Sequence, residues 1–148
     1  MIEHNPFLRQ VIASALEEDL GFGDLTTNAV IAPEDKGRAF LLAGEELVLA
    51  GLPVFREVFL QLSAEIEFEE YFAEGDLVPE GRRVCLLKGP LSPILSGERT
   101  ALNFLQRMSG IATLTRLYVE EVGRLVKIVD TRKTAPGLRW FDKYAVRK

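Results

Sequence analysis

Leu125-Val126-Lys127-Ile128-Val129-Asp130, followed by Thr131-Arg132-Lys133-Thr134 and then Ala135-Pro136-Gly137, sets the reading of the fold. The first stretch is rich in β-branched side chains and predicts a short strand. The polar, basic tetrapeptide predicts the loop that leaves it. Ala135-Pro136-Gly137 then opens a helix that runs through Ala145.

A helix–strand–loop–helix unit is similar to the start of a β/α barrel, where chemistry sits on the loops after the C-terminal ends of strands. Thr131, Arg132 and Lys133 fall on such a loop. Arginine offers a planar fork that matches a carboxylate or phosphate, lysine a point charge, and threonine a hydroxyl. Together they suit a ligand that carries both carboxylates and phosphates. The plainer alternative is a surface turn with two solvated cations. Charge distribution favours the first reading. Residues 1–123 hold 10 Lys and Arg against 20 Asp and Glu, whereas residues 124–148 hold 8 against 2. A basic block on an acidic body points to an anionic ligand at that end. Nucleic acid is a poor fit, because the block lacks interleaved aromatic platforms and the acidic body repels a long polyanion.

The chain as a whole is globular in composition: 148 residues, 47% apolar and 27% charged. That excludes disorder and low-complexity fibres. No apolar run reaches the length of a membrane span, and the N-terminus lacks the pattern of a signal peptide. The single cysteine, Cys85, has no internal disulfide partner. A cytoplasmic setting with no membrane association is expected.

Working outward, residues 5–20 predict a helix capped by Asn5 with Pro6 in its first turn. Leu20-Gly21-Phe22-Gly23-Asp24-Leu25-Thr26-Thr27 reads as a structural turn. Two short strands are expected around Gly44-Glu45-Glu46 within 38–50. An amphipathic helix follows over 52–62 with Phe55, Val58, Phe59 and Leu62 on one stripe. Glu65–Glu69 alternates as a half-buried strand. Glu74-Gly75-Asp76-Leu77-Val78-Pro79-Glu80-Gly81 resembles a turn of lipoyl- and biotinyl-type β domains, but the lysine such carriers modify is missing. Arg83–Leu87 reads as a strand with Cys85 as a small buried side chain. Gly89–Pro93 breaks the pattern, so domains are drawn at 1–92 and 93–148. The helical segment from about Ile94 to Val122 is read as two helices separated at Ser109-Gly110.

Several ordered motifs carry a more specific likeness. They are Leu20-Gly21-x-Gly23-Asp24-Leu25-Thr26-Thr27, Ala50-Gly51-Leu52, Gly97-Glu98-Arg99-Thr100-Ala101-Leu102-Asn103, Ser109-Gly110-Ile111-Ala112-Thr113, Asp130-Thr131-Arg132-Lys133-Thr134-x-Pro136-Gly137-Leu138-Arg139 and Lys143-Tyr144-Ala145-Val146. With these the chain resembles the quinolinate phosphoribosyltransferases, the carboxylating nicotinate-nucleotide diphosphorylases.

The resemblance implies an α+β N-terminal domain, an α/β sandwich over 1–92. The start of an open α/β barrel of the type II phosphoribosyltransferase kind follows over 93–148. It implies transfer of phosphoribose from 5-phosphoribosyl-1-diphosphate to quinolinate with loss of carbon dioxide, in the presence of Mg²⁺. It implies a homodimer in which Arg99 enters the partner's site. Thr131 and Arg132 would hold quinolinate, and Lys133 would stand between quinolinate and the donor as the catalytic cation. Arg139 and Lys143 are secondary candidates. Family members run to nearly twice this length, so the chain is expected to be a piece that is inactive alone, with the metal ligands outside it. No general base is needed for the first step, so His4 is not a candidate. The nearest alternatives are a paralogue on the same fold with another acceptor and a non-catalytic lipoyl-like module.

Overall fold

The computed structural model describes residues 6–21, 23–123 and 126–148. Asn5, expected to cap the first helix, His4, Phe22 and the opening Leu125 of the expected strand lie outside them. Five helices and five strands appear among the described residues. The helices are α1 (Pro6–Leu20), α2 (Leu25–Val30), α3 (Leu52–Leu62), α4 (Leu91–Val122) and α5 (Arg139–Ala145). The strands are β1 (Lys36–Leu42), β2 (Leu47–Val48), β3 (Glu67–Glu70), β4 (Leu77–Val78) and β5 (Arg83–Pro90).

β5 is the centre of an antiparallel sheet of order β1-β5-β3. Its Val84-Cys85-Leu86-Leu87 run is apolar on successive residues, and all four are buried. A strand covered on both faces reads as such a run rather than as an alternation. β3 lies at an edge and leaves Glu67 and Glu69 to solvent. The two strands expected around Gly44 do not pair with each other: β1 joins β5, while β2 pairs with β4.

Burial pushes the Cys85 thiol up to about 11, with the charge of Glu70 adding to the effect. The thiolate is the reactive form. Cys85 is therefore expected to resist a chromogenic disulfide reagent at neutral pH until the chain is denatured. Rapid stoichiometric labelling of the native chain would contradict its placement.

The helices cover the sheet. α3 buries Val54, Phe55, Val58 and Phe59, and α1 adds Leu8, Ile12 and Leu16. The buried Glu57 of α3 accepts a hydrogen bond from Arg9 Nε at 2.8 Å and from Gln61 Nε2 at 3.0 Å, tying α1 to α3. The N-terminus of α3 is held by the Glu74 carboxylate. It accepts from the Gly51 and Leu52 amides at 2.9 and 2.6 Å, where the helix dipole favours a negative charge.

α4 is one continuous helix, not two. Gly110 costs about 1 kcal/mol relative to alanine in a helix interior, too little to break a segment fixed by packing. Ser109 Oγ accepts from the Ala50 amide and donates to the Ala50 carbonyl, both at 3.1 Å. Thr113 Oγ1 accepts from the Val48 amide at 2.9 Å. Ser109, read as part of an interruption, and Thr113 one turn on thus stitch the helix to β2 and the residue just beyond it. Gly51 has φ of +104°, and a Cβ there would stand 2.7 Å from Met108 Sδ, so the close crossing requires glycine.

The strand expected over 125–130 does not form among the described residues. Among the described residues, Val126 to Asp130 form no strand, and Val126, Ile128 and Val129 are exposed. Strand formation requires a neighbour for the backbone N–H and C=O groups. No described strand runs beside this segment. The short α2, expected only as part of a turn, is built by Asp24. The final helix starts at Arg139, after a turn through Pro136-Gly137-Leu138.

Candidate active site

The loop over 130–134 is braced from α5. Lys143 Nζ pairs with Asp130 Oδ2 at 2.6 Å. One turn earlier on the same face, Arg139 Nε donates to Thr134 Oγ1 at 3.3 Å, and its terminal nitrogen donates to the Arg132 carbonyl at 3.4 Å. Within the loop, the Lys133 amide donates to Thr131 Oγ1 at 3.2 Å. The structure therefore brings together Thr131, Arg132, Lys133, Arg139 and Lys143. Arg132 and Lys133 are exposed, and among the described residues neither the Arg132 guanidinium nor the Lys133 ammonium has an ion-pair partner. The only loop carboxylate, Asp130, is matched by Lys143. Arg132 and Lys133 thus stand as two adjacent cations with no ion-pair partner among the described residues.

α5 is itself anchored. Phe141 is fully buried with its ring 5.1 Å from that of Phe104 in α4. Asp142, also buried, accepts from Arg107 Nε and a terminal nitrogen at 2.9 Å each. This hydrogen-bonded acid raises the pKa of Arg107. Tyr144 stacks on Trp140 and meets Glu74; burial first, then that hydrogen bond, push its phenol up.

Arg99 lies apart from the loop. Its terminal nitrogen pairs with Asp19 Oδ1 at 2.8 Å, and Thr100 Oγ1 donates to Asp19 Oδ2 at 3.2 Å. Its side chain is 76% exposed. It lines an open cleft of about 560 Å³ between the α1–α2 turn and α4, with Asp24, Ser96, Glu98 and Asn103. No loop residue lines that cleft. Among the described residues, no three His, Cys, Asp or Glu side chains gather in a way that would hold a metal ion.

Asp24 was legible only as an acidic turn residue. It caps α2 by accepting from the Thr27 amide at 2.9 Å and from its hydroxyl, and it accepts from Ser96 Oγ at 3.0 Å. The hydrogen bonds from Thr27 hold its pKa below the ordinary 3.8. A depressed carboxylate contributes stability above its unfolded pKa and loses it as pH falls through the folded value. The Thr27 amide resonance is therefore expected to titrate below the ordinary aspartate range. A midpoint at or above 3.8 contradicts the cap. Asp24 and Thr27 have the spacing of an N-cap and the amide it holds, which was the available signal. The Arg107–Asp142 pair left no such trace, since 35 residues separate its members.

Thr131, Arg132 and Lys133 thus share one exposed, cation-bearing loop beside an α+β body. The chain belongs to the quinolinate phosphoribosyl transferase family: the model of that family's N-terminal domain matches residues 24–109, and the model of its C-terminal domain matches residues 111–148. It is 40% identical over 141 residues to a probable nicotinate-nucleotide pyrophosphorylase (carboxylating) of Bacillus subtilis, covering 95% of this chain and 48% of that one. A mitochondrial quinolinate phosphoribosyltransferase (decarboxylating) of Nicotiana tabacum is 40% identical over 140 residues, with 94% and 40% covered. The crystal structure of NadC from Streptococcus pyogenes superposes with a TM-score of 0.93 at 44% identity, covering 97% of this chain and 52% of that one. The chain thus spans about half the length of the curated relatives it matches. Its fold is the family's α+β N-terminal domain with the beginning of the barrel domain. The stretch Glu74–Gly81, which resembles a turn of lipoyl-type β domains, falls inside the N-terminal family domain.

Proposed function

We propose that this chain supplies the quinolinate-binding wall of an enzyme that transfers phosphoribose from 5-phosphoribosyl-1-diphosphate to quinolinate, forming nicotinate mononucleotide for NAD biosynthesis. The observation that carries the reading is the pair of uncompensated cations, Arg132 and Lys133, beside Thr131 on a loop braced from α5. Quinolinate bears two carboxylates and the donor several phosphate charges. Two polyanions approach only where cations offset their repulsion. Arg132 grips a carboxylate through its fork, Thr131 adds a hydroxyl, and Lys133 serves both reactants.

The quinolinate nitrogen attacks the ribose C1 as the bond to diphosphate breaks, and diphosphate leaves with that electron pair. The bond from C2 to its carboxylate then breaks and releases carbon dioxide. Its electron pair stays on C2 beside the pyridinium nitrogen, and a solvent proton takes it up. The protein contributes positioning and charge stabilisation. Mg²⁺ would arrive with the diphosphate donor; the described residues do not fit a metal site, so no step runs through it.

Arg99 is assigned to the site of a partner subunit in a homodimer. Its separation from the loop and its exposure support this. A completed dimer made from Arg99→Ala and Lys133→Ala subunits would regain activity that each variant lacks alone; no regain would remove the shared site. A cytoplasmic setting fits the buried free thiol, and no described helix is long and apolar enough to cross a membrane.

Titration of the ¹⁵N-labelled chain tests the acceptor. Quinolinate is expected to shift the Thr131 and Lys133 amides, and nicotinate, with one carboxylate, to shift them less. Equal responses would discard quinolinate as the acceptor.

A further inference from the structure

Resting on the reading of the 130–134 loop as the quinolinate wall, we propose that Asp142 and Arg107 are positioning residues that set the geometry of Arg132 and Lys133 without touching the substrate.

α5 has two working faces. The inward face carries Phe141, Asp142 and Ala145, all buried. The outward face carries Arg139 and Lys143, one turn apart, and both grip the loop. No described strand borders the segment that enters the loop, so the sheet does not fix it. Among the described residues, its side-chain hydrogen bonds to residues outside the loop run to α5. The position of the loop is therefore inherited from α5, which is held in turn by α4 and, through Tyr144, by Glu74. The α4 end of this chain is a fork-to-fork contact: both Asp142 oxygens meet two Arg107 nitrogens at 2.9 Å. A bidentate pair fixes rotation as well as distance, which a single hydrogen bond or a greasy contact does not. Phe141 against Phe104 holds α5 down, and Arg107–Asp142 holds its rotation about its own axis. A rotation of α5 would carry Arg139 and Lys143 away from Thr134 and Asp130 together.

The role differs from generic stabilisation in what it should move. Arg107→Lys keeps the charge and loses the fork, and Asp142→Asn keeps the shape and loses the charge. Arg116→Lys on the same helix, whose arginine pairs with Glu120 on the exposed surface, serves as control. The heteronuclear NOE of the Thr131 and Lys133 amides reads loop order in the 148-residue chain, and a quinolinate titration reads binding. Both clamp variants are expected to lower the loop NOE and raise the quinolinate Kd about tenfold, while the α4 amides and the control stay unchanged. An unaltered loop NOE and Kd in folded clamp variants overturns the proposal. If a clamp variant does not fold, Lys143→Gln, which cuts the brace at the loop end, decides. A loop NOE and quinolinate affinity that both fall there support the proposal, and unchanged values overturn it. A lowered NOE with no quinolinate response in the unaltered chain overturns the positioning role and the quinolinate reading, leaving only a structural brace. A lowered NOE with unchanged quinolinate affinity overturns the positioning role alone.

Discussion

Phe141→Ala is expected to lower the unfolding free energy by about 3–5 kcal/mol, the range for truncating a buried phenylalanine. Phe141 is fully buried, its ring 5.1 Å from Phe104 and 5.5 Å from Trp140. The surrounding helices cannot collapse onto the gap, because α4 is fixed elsewhere by Ser109 and Thr113 and α5 has only seven residues. For a chain of this size the loss corresponds to a fall in Tm of roughly 10–15 °C. Truncating the exposed Leu117 in α4 should change stability by no more than about 0.5 kcal/mol. Thermal unfolding followed by far-UV circular dichroism measures both. A cost below about 1 kcal/mol for Phe141→Ala would mean that α5 is not anchored. The brace on the 130–134 loop would then lose its footing.

The second large effect concerns ligand. Arg132→Ala removes one partner of a charged hydrogen bond, a loss of about 1.5–3 kcal/mol, or roughly ten- to a hundredfold in affinity for quinolinate. The exposed loop of this chain, screened by water, should show the lower end of that range. Lys133→Ala should act differently. On the proposed reading its charge lies between quinolinate and the donor, so in a chain extended to the relatives' length it should reduce kcat by about a hundredfold or more with a smaller change in quinolinate KM. Calorimetric titration and steady-state kinetics separate the two. Unchanged quinolinate affinity in Arg132→Ala takes Arg132 out of the site.

What was legible in the sequence follows from where each signal lives. The helical stripes of α1 and α3 and the apolar run of β5 are local patterns, each imposed by burial of one face or both. They appear in the structure nearly as read. The break expected at Ser109-Gly110 failed because the decisive contacts, Ser109 with Ala50 and the following turn's Thr113 with Val48, are with residues far away in sequence. The expected strand before the loop carried a genuine β-branched pattern in Val126, Ile128 and Val129. Pattern alone cannot supply a neighbouring strand, and none of the described ones lies alongside.

The site divides the same way. Thr131, Arg132 and Lys133 were visible as a basic loop in a basic block. Arg139 and Lys143 were visible as charges, but their use as braces was not, since it depends on how α5 is turned. Arg107, Asp142 and the Asp19–Arg99 pair show no sequence signal, because each joins residues that only the fold brings together.

On the proposed reading, this chain forms one wall of a quinolinate phosphoribosyltransferase site. Nicotinate mononucleotide and carbon dioxide formation from quinolinate and 5-phosphoribosyl-1-diphosphate tests it most directly, with the chain assayed alone and joined to the C-terminal half of the Bacillus subtilis relative. Turnover is expected only in the joined protein, and abolition of it by Lys133→Ala. Turnover by the chain alone, or a folded joined protein whose turnover ignores Lys133→Ala, would contradict the claim.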